Sequence, residues 1–540
     1  MKNKLSVFIF LAFFMINACS DFIDVTPRGS QSLDNYFVTA KECETFINGL
    51  YKYLMQLEHW GNLNAPFLGN NMATDDAWMG NLEQDQSDHI NAAFYVITPT
   101  SMGRCSSIYQ QRYESISNCN YAIDRIAKSP IDEELKPYFI AQAKFCRAFH
   151  YYELLCNFGG MVLVTEPIGT SEMNKERSSA EETWQQIISD LKDAERDSPI
   201  LTAKQASGRV SKGACQALLA RAYLFKGDYQ NAYNYANTVI QSGIYSLEPN
   251  FLDVWSIYNH NGVESIFEIQ TVAETDKSIG NMLSTYTCGR GEKPEYFPSN
   301  SSADVMDGWG WCMPTTDLEN CYLSESDEIR RRSTITRYGD PVYGDEVLNP
   351  AYIYNENYNK SHLTIRKFYL PIAERRRIAH VNRLGREAIN FKVLRLAEMY
   401  LTRAEAAFFL NNSGQAADDM NFVRARVNLP PKLGLSGNDL IYSIWKERRM
   451  EFAFEGLRLY DLRRQIDPAT GKPMIASVMG PSGSFVLYNT GPNANPIEAG
   501  FTKEASDKGK NFDIERHLLW PIPQGEIDRS QGIVKQNPNY

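Results

Sequence analysis

The sequence predicts a mainly α-helical fold, in which helix-turn-helix pairs of the tetratricopeptide type form a scaffold that carries long irregular insertions. Residues 208–243 predict one pair, because small and apolar residues recur at helical spacing on both sides of a tight turn at 226–228. Residues 387–427 predict a second pair, with its turn at 411–414. Since a long stretch of different character separates the two pairs, we expect an insertion to interrupt the helical scaffold.

The N-terminal helical region of this scaffold is predicted to occupy residues 36–250. Apolar residues at helical spacing predict helices over the following stretches: 38–57, 104–127, 137–158 and 179–196. A glycine pair at 159–160 ends the third of these helices, and the apolar run 161–166 predicts a brief strand after it. Residues 58–99 lack clean periodicity and are predicted to be irregular.

The insertion is predicted to span residues 251–386, where no helical period is sustained and 265–269 has the pattern of a strand. The C-terminal helical region, 387–540, contains a second irregular segment, the Gly-, Pro-, Ser- and Asn-rich loop 467–509. Because long loops on a helical scaffold usually carry binding surfaces, we interpret 251–386 as a ligand-binding insertion.

The stretch 441–465 is predicted to be one helix with apolar neighbours on two sides, which suits a helix packed inside a repeat scaffold. Arg448 and Glu455 lie within an apolar stripe, so we expect them to be paired with each other or with backbone. Three further charged residues share a face between the stripes and are predicted to face water: Glu447, Glu451 and Arg458. A catalytic Arg/Glu pair is the alternative, although buried ion pairs more often serve architecture.

Residues 1–18 have the composition of a secretory signal, because two lysines precede an apolar run, 5–16, that is too short to span a bilayer. A cysteine directly after Ala18 indicates a lipobox, in which Cys19 is acylated and becomes the mature N-terminus. Its lipid chains are expected to anchor the protein to a membrane through a tether, 19–35. An ordinary signal peptide that happens to contain a cysteine is the alternative.

The net charge and the cysteine content exclude some classes of partner and of fold. The net charge is -10 and the pI ≈ 5.4, which argues against a nucleic-acid partner, because such a partner requires a basic surface. Ten cysteines minus Cys19 leave an odd number without zinc-like spacing, which is a poor disulfide framework. We interpret most of them as small buried apolar residues, for example Cys146, Cys156 and Cys215.

The sequence carries none of the short motifs that mark common catalytic or cofactor sites, such as G-x-S-x-G, H-E-x-x-H or G-x-G-x-x-G. We therefore predict neither an enzyme nor a bound cofactor. Two alternatives stay open, because a pair of acids assembled in space could hydrolyse glycosides and loop acids could hold a metal ion. The acids considered for a metal are Asp85 with Asp88, and Asp304 with Asp307.

Two groups of loop residues are candidates for ligand binding. Sugars are bound by flat aromatic side chains that cover ring C–H groups, with Asp, Asn or Arg nearby to hydrogen-bond the hydroxyls. The first group comprises Trp60, Asn71, Asp75 and Trp78, close in sequence to His59, Asn70 and Asp76. The second group lies in the insertion and comprises Tyr286, Arg290, Tyr296, Trp309 and Trp311. The two groups could converge on one surface, whereas individual aromatic residues could instead be plugs over the scaffold.

Seven stretches, in order along the chain, match one family pattern: 19–24 (CSDFID), 118–126 (NCNYAIDRI), 141–167, 208–228, 393–406 (VLRLAEMYLTRAEA), 447–464 (ERRMEFAFEGLRLYDLRR) and 519–540. Together they resemble the SusD/RagB family of outer-membrane nutrient-binding lipoproteins of Bacteroidetes. The match covers essentially the whole mature chain. In the last stretch, Asn539 stands where the family pattern is expected to have glycine.

The resemblance implies a SusD-like fold of about four tetratricopeptide-type helix pairs, with irregular segments packed over them. It also implies a lipid-anchored protein that faces the cell exterior, captures a glycan and passes it to a TonB-dependent, SusC-like transporter. A peptide or another nutrient is the alternative ligand. The family has no catalytic machinery, so a lipid-anchored hydrolase is the least favoured hypothesis.

Overall fold

The computed structural model describes most of the chain from residue 36 onward. The described ranges are 36–54, 66–78, 91–100, 104–169, 174–273, 278–306, 308–355, 361–378, 387–480 and 508–540. Several predictions fall outside the described residues: the signal and tether with Cys19, His59, Trp60, Asp85, Asp88, Asp307 and the central part of the loop 467–509. For Trp78, the backbone is described and the side chain is not.

Helices dominate the structure. Before the insertion they are α1 (Ala40–Lys52), α2 (Pro66–Met72), α3 (Arg104–Lys128), α4 (Lys136–Phe158), α5 (Ala180–Asp197), α6 (Ala203–Ala206), α7 (Lys212–Lys226) and α8 (Tyr229–Gln241). Within the insertion they are short: α9 (Leu283–Thr287), α10 (Thr316–Leu323), α11 (Glu328–Thr334) and α12 (Ile372–Arg377). After it come α13 (Leu396–Phe409), α14 (Ser413–Arg426), α15 (Gly437–Phe452), α16 (Arg458–Arg464), α17 (Met474–Val478), α18 (Ile514–His517) and α19 (Gln524–Arg529).

Local caps explain where several scaffold helices begin and end. Thr39 and Ser179 form capping boxes at the starts of α1 and α5, each with the glutamate three residues further on. Gly227 ends α7 with φ of 83°, and the Asp228 side chain accepts the N–H of Asn231 at the start of α8. The turn predicted at 226–228 is therefore confirmed.

The scaffold helices stack in succession, and the stack continues across the insertion. Helix α3 packs against α4, α4 against α5, α5 against α7, and α7 against α8. Helix α8 then packs against α13, which in turn contacts both α14 and α15. Fully buried alanines such as Ala232, Ala236 and Ala404 let these helices approach closely. The predicted mainly α-helical scaffold, interrupted by an insertion, is confirmed.

Short antiparallel strand pairs tie the irregular segments to the scaffold. The strands are β1 (Ala77–Trp78), β2 (Ser265–Ile269), β3 (Val272–Ala273), β4 (Ser278–Ile279), β5 (Met313–Pro314), β6 (Ile335–Arg337), β7 (Leu363–Ile365) and β8 (Phe391–Arg395). In the described ranges, β1 pairs with β5, β2 with β8, β3 with β4, and β6 with β7. The strand predicted at 265–269 is confirmed as β2, and its partner β8 directly precedes α13, with Glu268 opposite Lys392.

Three predicted elements differ from the structure. The run 161–166 is not a strand, because side chains rather than a neighbouring strand bind its backbone: Tyr151 donates to the Val164 carbonyl at 3.0 Å. The helix predicted to start at residue 387 starts only at α13, because the preceding residues form β8. The helix predicted over 38–57 is the shorter α1.

The stretch 441–465 is not one helix, because α15 and α16 are separated by a break. Phe454 and Gly456 have φ of 66° and 83°, which a right-handed helix does not allow. The ammonium of Lys367 donates to the carbonyl of Ala453 at 2.8 Å, so a distant residue caps the end of α15. This break depends on tertiary contacts, which the helical periodicity of the sequence does not reveal.

The charged residues of α15 are enclosed in ion pairs. The prediction that Glu447 and Glu451 face water is wrong, because arginines from distant segments cover them: Arg330, Arg395, Arg424 and Arg426. Arg448 pairs with Asp461 at 2.8 Å, and Glu455 pairs with Lys367 and Arg395, each at 2.8 Å. Both predicted buried charges are therefore paired, although with other side chains rather than with each other.

The C-terminal tail is docked against the N-terminal helices. Trp520 is fully buried, and the Asn537 amide donates to the carbonyls of Trp520 and Phe158 at 2.7 and 3.0 Å. Asn539 has φ of 63°, a left-handed conformation that favours glycine and that asparagine tolerates better than most residues. Asparagine at this position therefore preserves the backbone shape expected for a glycine.

The cysteines in the described ranges are all free. Cys146 and Cys215 are buried, as predicted, whereas Cys156 is half-buried. Among the helices of the described ranges, none combines the length and the apolar character that crossing a bilayer requires.

Candidate functional site

Three side chains of the insertion form a contact group, which we call the aromatic cluster: Tyr286, Trp309 and Trp311. The Tyr286 ring stacks on Trp311 with a centroid distance of 5.4 Å and 13° between the planes. Trp309 contacts both rings, at 5.3 Å from Tyr286 and 4.7 Å from Trp311. Tyr286 and Trp311 are buried, whereas Trp309 is half-buried. Trp309 therefore provides the accessible ring of the cluster.

Backbone contacts between α9 and the turn that carries the two tryptophans hold the aromatic cluster. The N–H groups of Trp309 and Trp311 each donate to a carbonyl of α9 at 2.7 Å. A Cβ atom on Gly308 would lie 2.4 Å from the Cys288 carbonyl oxygen, so this close approach requires glycine. The backbone position of Trp309 is thus fixed by main-chain contacts, and its ring packs against Tyr286 and Trp311.

A buried carboxylate supports α9. Glu387 accepts the N–H groups of Ser284 and Thr285 at 2.7 and 2.8 Å, together with the Thr285 hydroxyl. No cation within the described part of the chain forms an ion pair with Glu387. Burial raises the pKa of Glu387 to about 7, although its hydrogen bonds favour the charged form. Helix α9, which carries Tyr286 of the aromatic cluster, is therefore bound by a carboxyl group with a pKa near neutral.

The first group of predicted site residues adjoins the aromatic cluster through β1 and β5. Trp78 lies opposite Met313, two residues beyond Trp311. The Thr315 N–H donates to the Asp76 carbonyl at 2.9 Å, and the Thr315 hydroxyl donates to the Asp75 carbonyl. The structure thus brings the backbones of the two predicted groups together.

Two polar residues predicted to contact a ligand lie inside the protein. Arg458 binds Asp75 through two hydrogen bonds of 2.9 and 2.8 Å, and Arg449 lies 3.1 Å from the same carboxylate. Burial alone would raise the pKa of Asp75, but the two arginines lower it below its usual range. Asn71 is also buried and donates to the Phe454 carbonyl at 3.4 Å. These side chains join the first irregular stretch to α15 and α16, and Arg458, predicted to face water, is held in an ion pair.

The other insertion residues differ in exposure. Tyr286 has no exposed surface, and burial raises the pKa of its hydroxyl. Tyr296 is half-buried at the end of a 3-10 turn, with the Lys293 ammonium 5.9 Å from its ring centroid. Arg290 is half-buried, and its carbonyl accepts the N–H of Asn355 at 3.0 Å. Among the predicted residues whose side chains the structure describes, Trp309, Tyr296 and Arg290 thus keep accessible surface.

Asp304, considered from the sequence as a metal ligand, binds an arginine. Its carboxylate accepts two hydrogen bonds from Arg376 at 2.7 and 2.9 Å, and these bonds lower its pKa. Throughout the ranges that the structure describes, no three acidic, histidine or cysteine side chains are grouped as metal ligands.

Two cavities lie apart from the aromatic cluster. The first, of about 50 Å³, is lined by Arg112, Glu153, Arg221 and Tyr460 between scaffold helices, and it has room for a few waters. The second, of about 180 Å³, lies in the insertion and is lined by residues 251–258, 333, 344 and 366–371, with gaps in the last range. No local pattern predicts the second cavity, because its walls come from four separate stretches.

The fold is a helical-repeat scaffold that carries the aromatic cluster on an irregular insertion. The model of the SusD family matches residues 263–540, and a second family model, described as starch-binding associating with outer membrane, matches residues 21–224. Because the first match spans more than half of the chain, the protein belongs to the SusD/RagB family.

Named relatives match along most of the chain. SusD-like protein P2 of Formosa agariphila is 27% identical, with 100% of both chains covered. The starch-binding protein SusD of Bacteroides thetaiotaomicron is 26% identical over 75% of this chain and 77% of its own. A solved laminarin-binding SusD-like protein is 26% identical, with 93% of this chain and 100% of its own covered and a TM-score of 0.72.

A more distant solved structure supports the fold. Surface glycan-binding protein A from Bacteroides thetaiotaomicron, solved in complex with laminarihexaose, is 20% identical and has a TM-score of 0.72. The alignment covers 93% of this chain and 100% of that one.

Proposed function

We propose that this protein binds a glycan, an oligo- or polysaccharide, on the surface of its insertion, 251–386. The observation that carries the proposal is Trp309, an accessible indole packed against two buried aromatic rings. A ring fixed in this way covers the C–H face of a sugar and loses little side-chain freedom on binding. Arg290 and Tyr296 provide groups in the same insertion that hydrogen-bond hydroxyls. Two relatives named for starch and laminarin binding support the ligand class.

The proposed location is the outer surface of the outer membrane, with a lipid anchor on Cys19. The lipobox pattern of the sequence supports the anchor, and the description of the family that matches residues 21–224 supports the membrane. In this position the protein passes its glycan to a SusC-like TonB-dependent transporter, which supplies the energy for import. The protein itself has a binding role and no catalytic step.

Isothermal titration against a polysaccharide panel that includes starch and laminarin tests the ligand class. We expect at least one glycan to bind and Trp309→Ala to weaken its binding roughly tenfold or more, since the stacking contact is lost. Trp309→Ala should leave the melting temperature nearly unchanged. The matched control is Trp311→Ala, which removes a buried ring of the same cluster and should lower the melting temperature clearly.

Three outcomes contradict this assignment. Binding of peptides together with failure on every glycan would establish the alternative ligand class. An equal fall in melting temperature for Trp309→Ala and Trp311→Ala would show that Trp309 belongs to the core. Release of reducing ends from a bound glycan would contradict the absence of catalysis and favour a hydrolase.

The anchor is tested by fractionating cells that express Cys19→Ala in a strain without the partner transporter. We expect the variant to leave the outer-membrane fraction, because the acylated cysteine is the proposed membrane contact. Retention of Cys19→Ala in that fraction would overturn the lipid anchor. Co-purification of the transporter with the unaltered protein tests the proposed partner.

A further inference from the structure

The second cavity, which we call the Arg366 cavity, is open to solvent beside Tyr258, a wall residue that is 70% exposed. Its volume is about 180 Å³. A water requires about 10–15 Å³ in this measure, so the cavity has room for a single sugar ring but not for a chain. None of its wall residues belongs to the aromatic cluster.

Arg366 is fixed in the wall of this cavity without a carboxylate partner. It is 8% exposed, its Nε donates to the Tyr343 carbonyl at 2.7 Å, and its guanidinium lies 5.0 Å from the Tyr369 ring centroid. Within the described part of the chain it forms no ion pair, because Asp345 accepts the Tyr369 hydroxyl instead, at 2.9 Å. Burial lowers the pKa of Arg366, and the nearby charges of Asp345 and Glu346 offset this only in part.

The neighbouring Lys367 is a buried cation that has a carboxylate partner. Lys367 donates to the Glu455 carboxylate and to the Ala453 carbonyl, both at 2.8 Å. Arg366 has five N–H donors, and within the described residues a single one is used, by a backbone carbonyl. The other N–H groups of Arg366 are available at the cavity wall, where water or the anionic group of a ligand can accept them.

The other walls fit a sugar better than a bare anion. Asp253 lines the same cavity, and its carboxylate repels a free anion but accepts hydrogen bonds from ring hydroxyls. Tyr258 offers an aromatic face to ring C–H groups at the edge of the cavity. A ligand that carries both an anionic group and ring hydroxyls satisfies both charged walls.

We propose that the Arg366 cavity binds one acidic sugar residue, with its carboxylate or sulfate ester on Arg366 and its ring hydroxyls on Asp253. The planar guanidinium donates two parallel hydrogen bonds to either anion, which a lysine at this position would not reproduce. The inference rests on the proposed function in one respect, because a glycan would carry this residue to the protein. It specifies the ligand of a second site as a uronate or a sulfated sugar.

Isothermal titration of the full mature chain with glucuronate, glucose 6-sulfate, glucose and inorganic sulfate tests the cavity without any polysaccharide. We expect at least one acidic sugar to bind roughly tenfold more tightly than glucose, because a charge-assisted hydrogen bond is added. Arg366→Met should abolish this preference. The matched control is Arg332→Met, which removes a neighbouring cation that pairs with Glu346 at 3.5 Å and does not line the cavity.

The outcomes distinguish a carboxylate from a sulfate ester as the bound anion, and they test the Arg366 cavity separately from the aromatic cluster. Preference for glucuronate identifies a carboxylate, and preference for glucose 6-sulfate identifies a sulfate ester. Asp253→Ala should weaken acidic-sugar binding and leave inorganic sulfate no weaker. Equal binding of glucose and both acidic sugars, or an unchanged preference in Arg366→Met, overturns the site. Trp309→Ala should leave glucuronate binding intact, because Trp309 does not line the Arg366 cavity. Failure of the aromatic cluster as a glycan site can therefore be told apart from failure of the Arg366 cavity.

Discussion

Arg395 and Arg366 are both buried guanidiniums, 1% and 8% exposed, but their surroundings are opposite. Arg395 contacts three carboxylates, with distances of 2.7 Å to Glu264, 2.6 Å to Glu451 and 2.8 Å to Glu455. Arg366 donates to the backbone carbonyl of Tyr343 and lines a cavity. The partners of a buried charge, rather than its burial, therefore separate a structural charge from a candidate binding group.

Buried acids show the same contrast. Burial alone would raise the pKa of Glu451, but Arg426, Arg395 and Arg330 lower it below its usual range. Glu387, where the insertion rejoins the scaffold, has neutral donors only, and burial raises its pKa to about 7. The acids and arginines around α15 form ion pairs with one another, whereas Glu387 and Arg366 have no ion-pair partner among the described residues.

The largest expected effect comes from breaking the ion pairs around α15. Arg395→Met leaves Glu451 and Glu455 buried with fewer cations, which should lower the free energy of unfolding by about 3–5 kcal/mol. Urea unfolding, followed by circular dichroism, measures the change. A loss below about 1 kcal/mol would show that the remaining arginines neutralise both acids and that the contrast with Arg366 does not hold.

A smaller, pH-dependent effect is expected at Glu387. Its pKa is raised from 4.5 to about 7 in the folded state, so its contribution to stability is complete below pH 4.5 and is lost as the pH rises through 7. Relative to Glu387→Gln, the natural protein should lose up to about 3 kcal/mol of unfolding free energy across this window. Urea unfolding of both proteins between pH 4.5 and 8 tests this, and parallel curves would contradict it.

The smallest effect is expected at Arg366. Arg366→Met removes a charge that has no ion-pair partner in the described ranges and keeps most of the apolar stem, so the free energy of unfolding should change by less than about 1 kcal/mol. The same urea experiment measures it, with Arg395→Met as the reference. A loss equal to that of Arg395→Met would place Arg366 among the structural charges.

Local periodicity predicts the scaffold well. Helices α3, α4 and α5 begin and end within one or two residues of their predicted bounds, because caps and apolar spacing are local signals. The break after α15 could not be predicted, since Phe454 takes its positive φ in a segment whose carbonyls are bound by the distant Lys367. The burial of Glu451 could not be predicted either, because its arginine partners come from three remote segments.

The sequence predicts which residue types occur in the candidate site but not how they are arranged in space. The abundance of aromatic residues in the insertion marks Trp309, yet the pairing of β1 with β5, which places the backbone of Trp78 opposite Met313, is a long-range contact. Asp75 has the residue type expected for a sugar ligand, and its burial by Arg458 follows only from the folded chain. Arg366 carries no local signal, since its distinction lies in the partners it lacks.

The pairing of β2 with β8 fixes the two ends of the chain between them side by side. The segment from 270 to 390 therefore leaves and re-enters the scaffold at one place, as a closed excursion. The entropy of closing such a loop grows only with the logarithm of its length. Surface turns of this excursion can accordingly change in length while the helical stack stays intact, as long as Arg330 and Lys367 keep their contacts with α15, so recognition can diversify among related proteins without a new fold.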